Sequence, residues 1–415
     1  MLTSTQPRRR SGAVAALLAC ALAGGAAGLT TTGAHAAPAP APASDSDSAS
    51  AGNARAAARL SLSEPTGPHA VGRTTLHLAD HTRRDPWVPG AGARELLVTL
   101  YHPALKGTGT PSRYMTTEGA RLLLEDRGID LPAQVLGGTR THSRTGAVPA
   151  PGRYPLVILS PGFSVPGTTL TGLAEDLASR GYVVAVTDHA YEAVGVSFPG
   201  KGILPCAACG RVDGNTFSAA AKGRGKDLSF VLDALLGKRG EHGGAGPEWR
   251  HSGLIDARRV GAAGHSLGGA GAAAATAGDA RIRAVANLDG PFADAGSAAG
   301  LSGRPVLMLG TAADHSPAGA DRTWDRAWSA LTGWKRWATV SGADHFAFTD
   351  LAPLAGQLGE DDPDGLPGHR AAKITNTYVR AFFDRHLRGL PRPVLDGPSG
   401  AHPEVAFHDP APRGR

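Results

Sequence analysis

Ser266 sits in Gly264-His265-Ser266-Leu267-Gly268, the only G-x-S-x-G in the chain. An apolar stretch precedes it and an alanine-rich one follows. That context predicts a strand, a tight turn and a helix, with the hydroxyl raised on the turn and the helix N-terminus below it favouring developing negative charge. The chemistry this serves is nucleophilic acyl transfer. A serine hydroxyl is a weak nucleophile until a base takes its proton, and the base in turn needs a carboxylate to orient it. A serine on such a turn has its partners in the chain order Ser, acid, His. His345, in Ser341-Gly342-Ala343-Asp344-His345-Phe346, follows the last strand expected before the C-terminal helix and is the candidate base. His265 adjoins the serine and is expected to point elsewhere, and His189 and His315 lie too early in the chain. Two aspartates compete for the third role, Asp289 after one strand and Asp314 after the next, and the pattern alone does not choose between them. Two backbone donors must hold the oxyanion: the Leu267 amide, and the Phe163 amide from Ser160-Pro161-Gly162-Phe163-Ser164, which ends another strand.

Short apolar runs alternate with helical stretches along the chain. An early strand pair is expected at Val71–Leu78 and Glu95–Tyr101, then strands at Leu156–Ser160, Tyr182–Thr187, Val260–Ala263, Ile282–Leu288, Pro305–Gly310 and Arg336–Val340. Helices are expected at Thr169–Arg180, Gly223–Leu236, Gly268–Ala277, Asp321–Ala330 and Lys373–Leu387. Strands without polar alternation, separated by helices, indicate an α/β fold whose mostly parallel sheet is covered on both faces. The long segment from Asp188 through Asn215 follows one of these strands toward the same sheet edge as Ser266. It is read as a pocket wall, with Tyr191 and Phe198 as acyl contacts or as ordinary loop packing.

With these residues assembled, the chain resembles the alpha/beta-hydrolase superfamily, and within it the bacterial relatives of plasma-type platelet-activating factor acetylhydrolase. The resemblance runs from about Gly67 to Phe407 and rests on GHSLGG, LSPGF, the LDG of Leu288–Gly290 and GADHFAFTDL of Gly342–Leu351. It implies the alpha/beta-hydrolase fold and a catalytic set of Ser266, Asp289 and His345. It also implies hydrolysis of short-acyl or lipid esters through an acyl-enzyme, with no cofactor and no metal. Triacylglycerol lipases and cutinases are similar too, and would make Asp314 the acid. A peptidase would need a substrate-binding motif that is not seen. A non-catalytic binding protein on the same scaffold is disfavoured because serine turn, oxyanion loop and histidine occur in the proper order.

The ends of the chain bound the rest. Arg8-Arg9-Arg10, an apolar run from Ala13 to Leu29 and Ala34-His35-Ala36 read as a signal peptide, residues 1–36, cleaved after Ala36, so that the protein is secreted. Paired arginines also suit twin-arginine export, and Leu17-Leu18-Ala19-Cys20 loosely resembles a lipoprotein box, but the apolar run continues past Cys20. No later run is long enough for stable membrane insertion. Residues 37–58 read as an Ala/Pro/Ser linker, leaving 59–415 as one catalytic domain. Removing residues 1–36 takes away three arginines and no acid, so the formal charge falls from +6 to +3. Acids and bases are interspersed, with no basic stripe for nucleic acid. Cys206 and Cys209 are the only cysteines beyond the signal, and in an exported chain they read as a disulfide; zinc would need two further ligands at suitable spacing. Trp324 and Trp328, four apart, have the spacing of core packing, with carbohydrate stacking as the sharper alternative. The acidic run Glu360–Asp364 lacks the spacing of a calcium loop. Oligomeric state is not set by anything in the sequence.

Overall fold

Tyr154–Ser160 reads YPLVILS, and every residue after Tyr154 is buried. The strand needs to be apolar throughout because both of its faces are covered. Leu156 and Ile158 pack into one core layer, while Val157 and Leu159 pack into the other. The same two-residue alternation divides Leu307 and Leu309 from Val306 and Met308, so the period of the pleat sorts each strand between the two layers.

The structure is a computed structural model and describes residues 58–236, 249–293, 298–301 and 303–410. Residues 1–36, expected to be a signal peptide, and all but the last residue of the expected 37–58 linker lie outside the described residues. In chain order the strands of the main sheet and of one short hairpin are β1 (Ala70–Arg84), β2 (Ala93–Ala104), β3 (Thr110–Arg113), β4 (Arg140–Thr145), β5 (Tyr154–Ser160), β6 (Val183–His189), β7 (Ser197–Phe198), β8 (Gly202–Ile203), β9 (Ile255–His265), β10 (Ile282–Leu288), β11 (Val306–Thr311), β12 (Lys335–Val340) and β13 (Val405–His408). The main sheet has the order β13-β12-β11-β10-β9-β5-β6-β2-β1-β4-β3, and β7 pairs with β8. The block from β6 to β12 is parallel, with antiparallel neighbours β2 and β13 at its flanks. Helices Thr171–Ser179 and Gly368–Arg388 cover one face, and Phe217–Leu236 and Thr323–Ala330 help cover the other. This is the α/β architecture expected from the sequence. Among the described residues no helix is long and apolar enough to cross a membrane.

Below the carboxyl ends of β5 and β6 lies a buried ion network. Arg94 reaches Asp85 at 2.8 Å, Asp227 at 2.8 Å and also Glu192, while Arg224 reaches Glu192 at 2.7 Å. His189 Nδ1–H donates to Asp227 at 2.7 Å. Burial alone would raise the carboxylates, yet the guanidiniums win: Arg224 and Arg94 hold Glu192 down at about 2, and Arg94 with His189 holds Asp227 well below the usual range. His189, Glu192 and Asp227 bring ligand-type atoms within 4.8 Å of one another, but the two carboxylates are engaged by Arg94, Arg224 and Arg83 and His189 Nδ1 by Asp227, so the cluster is a salt network. Breaking such a network from one side leaves a buried charge exposed to a low dielectric. Asp227→Ala is therefore expected to cost on the order of 3–5 kcal/mol, read from the shift in a urea unfolding midpoint.

Candidate active site

The elements converge where parallel strands end. β9 finishes at His265, the helix Leu267–Gly278 begins one residue after Ser266, and Ser266 itself takes φ 56° and ψ −125°. A side chain is strained there, and the neighbours leave no freedom to relax. A Cβ on Gly264 would lie 2.2 Å from the Gly268 carbonyl, and one on Gly268 would lie 2.1 Å from the Ser160 carbonyl oxygen. The glycines of the G-x-S-x-G pattern are thus demanded by backbone-to-backbone contact, and this contact also seats the 160–163 loop against the helix start.

Ser266 Oγ–H donates to His345 Nε2 at 2.9 Å, and His345 Nδ1–H donates to Asp289 Oδ2 at 2.6 Å. His345 opens a short 3-10 turn after β12, capped by Asp344, and its side chain is 30% exposed, whereas Asp289 is fully buried. Asp289 follows β10 with φ 55°. Its other oxygen accepts from the Thr311 amide at 2.6 Å and from His315 Nδ1–H at 2.8 Å. Burial would raise the carboxyl, but the hydrogen bonds from His315 and His345 overcome it and hold Asp289 far below the ordinary carboxylate range. Asp314, the other candidate acid, turns back toward Thr311 Oγ1 at 3.4 Å and does not meet His345.

Leu267 is the first residue of its helix, so its amide has no carbonyl four residues back to bond within the helix. Phe163 follows β5 and packs with Leu267, Ala220, Ala221 and Ala270 in one cluster that also holds the half-buried Trp87, Val212 and Phe217. The ion network grips this region: Arg224 donates to the Pro161 carbonyl at 2.5 Å, Ser160 Oγ meets His189 Nε2 at 3.0 Å, and Trp87 Nε1–H donates to Glu192 at 2.8 Å. Cys206 is bonded to Cys209 within the long loop after β6. Phe198 and Tyr191 do not reach this cluster. They pack with Ala190, Ala193, Val196 and Leu204 in a small core of the loop itself, so the acyl-contact reading of those two is replaced by loop packing. Val212 from this segment, and Phe217, Ala220 and Ala221 from the helix after it, are the residues that pack with Leu267 and Ala270 of the helix after Ser266. Trp324 and Trp328 are core residues, packed beside the equally buried Trp337, which removes the carbohydrate-stacking alternative for them.

Three side chains escaped the sequence pattern. Asn287 accepts from the Gly290 amide at 3.0 Å and donates to the Gly290 carbonyl at 2.8 Å, closing the turn that presents Asp289. His315 is the partner of Asp289 just described, and only its position after β11 hinted at it. His265 is buried beneath the site, and its Nε2–H donates to the His345 carbonyl at 2.7 Å, tying the two histidine-bearing turns together.

Comparisons with known proteins bear on the family and the fold. Residues 127–199 match the family profile of platelet-activating factor acetylhydrolase, isoform II. A probable 1-alkyl-2-acetylglycerophosphocholine esterase of Arthroderma benhamiae is 26% identical over 386 residues, covering 84% of this chain and 94% of the fungal protein. The solved structure of a ferulic acid esterase from Streptomyces cinnamoneus is 44% identical, with a TM-score of 0.72, covering 85% of this chain and all of that one.

His265 carries a test of how this site bears on stability. Burial, helped by the neighbouring His345, pushes it down to about 3, so it stays neutral in the fold and takes a proton near pH 6.5 once unfolded. The unfolded chain therefore binds more protons in between, and stability is expected to fall as pH drops from about 6.5 toward 3. Denaturant melts across that range should show the slope, and His265→Asn should flatten it.

Proposed function

The chain belongs to the alpha/beta-hydrolase carboxylic ester hydrolases related to platelet-activating factor acetylhydrolase, and on that premise we propose that it works as a secreted serine esterase through Ser266, His345 and Asp289. The observation that carries this reading is the unbroken hydrogen-bonded line from Ser266 Oγ through the imidazole to the buried carboxylate. His345 Nε2 takes the hydroxyl proton as Ser266 Oγ bonds to the acyl carbon. The Leu267 and Phe163 amides receive the oxyanion. His345 then returns the proton to the departing alcohol oxygen, leaving the acyl group on Ser266. Water repeats the sequence: His345 takes its proton, the acid departs, and Ser266 Oγ recovers a proton. Asp289 keeps Nδ1 protonated, so that Nε2 is free to act as base, and stabilises the imidazolium.

For the acyl group, the half-buried Trp87, Phe163 and Phe217 beside Leu267 favour a planar aromatic acid, as does the 44% identity to a protein described as a ferulic acid esterase. Short-acyl or lipid esters are the second reading, favoured by the family profile and by the fungal relative's name. Residues 1–36 serve export, with the mature chain starting at Ala37; the intact mass of protein recovered from culture medium tests this.

Ser266→Ala is expected to lower ester hydrolysis by roughly four to six orders of magnitude with an unchanged melting curve. Asp289→Asn should lower kcat by about 10⁴-fold, and Asp314→Asn by no more than about twofold, because only the first leaves His345 without its carboxylate. Full activity in Ser266→Ala would sink the nucleophile assignment. Methyl ferulate assayed beside p-nitrophenyl acetate, butyrate and palmitate decides the acyl group. A kcat/KM for the ferulate at or above the acetate value supports the aromatic reading, and hydrolysis of the acetate alone supports the short-acyl one.

A further inference from the structure

The loop after β11 is where the competing acid, Asp314, was expected, and it contributes something else. It delivers His315, buried, with both ring nitrogens on carboxylates: Nδ1 lies 2.8 Å from Asp289 Oδ1 and Nε2 lies 3.1 Å from Asp321 Oδ2. An ionised carboxylate can only accept, so both nitrogens must carry hydrogen and the ring must be a cation. Resting on the reading of Ser266, His345 and Asp289 above, we propose that His315 is a positioning residue for ester hydrolysis: an imidazolium clamped between Asp289 and Asp321 that orients the Asp289 carboxylate and tempers its pull on His345.

The surroundings are built for this clamp. The His315 ring lies 4.2 Å, centroid to centroid, from the ring of Trp324, and its backbone carbonyl accepts from Trp337 Nε1–H at 2.7 Å. Gly310 runs beneath, where a Cβ would come 2.8 Å from Asp289 Oδ1, 2.9 Å from Trp324 and 3.0 Å from His315 Nδ1. The charged groups that face the ring are Asp289 from the end of β10 and Asp321 from the segment before the Thr323–Ala330 helix, while Asp314 on its own short helix turns to Thr311. Burial works against the cation, but the two carboxylates outweigh it and push His315 up to about 9. With Oδ1 held by His315 and the Thr311 amide, Asp289 has Oδ2 for His345. A positive charge on the far side of Asp289 weakens its stabilisation of a protonated His345.

The test combines pH–rate profiles with a direct reading of the ring. In full-length enzyme carrying ¹⁵N-histidine, His315, assigned by its absence in His315→Gln, should show both nitrogens protonated at pH 7.5. A neutral ring would overturn the proposal. His315→Gln keeps one donor for Asp289 but no charge, so kcat should fall about tenfold with KM within about twofold. The acid limb of kcat/KM should move up by about half a pH unit or more. His315→Ala, lacking the donor too, should lose more than the glutamine variant. A lowered melting temperature with an unmoved acid limb means that His315 only supports the fold. Should His315→Gln not fold, Asp321→Asn carries the test: His315, with one carboxylate left, gives up its proton more readily, and the alkaline limb should move down from about 9. An alkaline limb that stays in place overturns the proposal. Recording the nitrogen spectrum in Ser266→Ala as well separates the two readings. Persisting hydrolysis there rejects the serine mechanism whatever His315 does, and a neutral His315 ring rejects the clamp while leaving the serine mechanism intact.

Discussion

Ser266 has to hold a backbone conformation that a side-chain-bearing residue resists, and much of the surrounding architecture follows from that requirement. A residue at φ 56°, ψ −125° carries a penalty of about 1–3 kcal/mol and persists only where its neighbours over-determine it. The Ser266 amide donates to the Leu288 carbonyl at 2.8 Å, and its carbonyl accepts from Gly269 at 2.9 Å. Strand, turn, helix and the adjoining strand end are locked in one mesh of backbone contacts. Gly290 belongs to the same mesh, since a Cβ there would lie 2.2 Å from the Ser266 carbonyl oxygen. The strain sets the Ser266 hydroxyl at the N-terminus of the Leu267–Gly278 helix, an end that favours negative charge.

The acid is held by an equivalent device one strand over. Asp289 has φ 55°, and Asn287 spans its turn while Trp324 Nε1–H donates to the Gly290 carbonyl at 2.8 Å. Two strained turns at the ends of adjacent parallel strands thus face one another, and His345 bridges them from β12. Because the strands are parallel and share one register, their ends arrive at a common edge, which lets residues 23 and 79 positions beyond Ser266 meet it.

What the sequence made legible divides along physical lines. The interior strands were readable because burial on both faces leaves a plain apolar run, and β10 was placed at Ile282–Leu288 with both ends right. β9 was read only over Val260–Ala263, because Asp256, Arg258 and Arg259 interrupt its first half. β3, β4 and β13 were not anticipated: TPSR, RTHSRT and VAFH carry no run long enough to signal a strand, and pairing across the sheet decides their form. The helix expected from Gly223 begins at Phe217, since its first turns are set by packing against Leu267 rather than by a periodic stripe. Ser266 and His345 could be named because each sits at a strand end in an ordered series, whereas that series offered Asp289 and Asp314 equally and only the family resemblance pointed to Asp289. His315 was set aside for falling too early, because chain order says nothing about which residues grip the far side of the acid.

The buried arginines extend the same logic to the loop that ends β5, where the proposed oxyanion donor lies. Phe163 lies on a loop, and an amide on a loop can serve as a donor only if the loop is immobilised in advance of the reaction. Arg224 holds Pro161, His189 holds Ser160, and the Ser164 amide donates to the Glu192 carbonyl at 3.1 Å, so three successive attachments fix the segment on either side of Phe163. Replacing these ions with apolar side chains could pack as well, since a buried salt network is rarely the most stable filling of a core. It would remove directional anchors that a hydrocarbon cannot replace. The network therefore makes sense as a positioning device: its charges face one another and fix the loop that carries Phe163, which packs against Leu267 next to the strained serine.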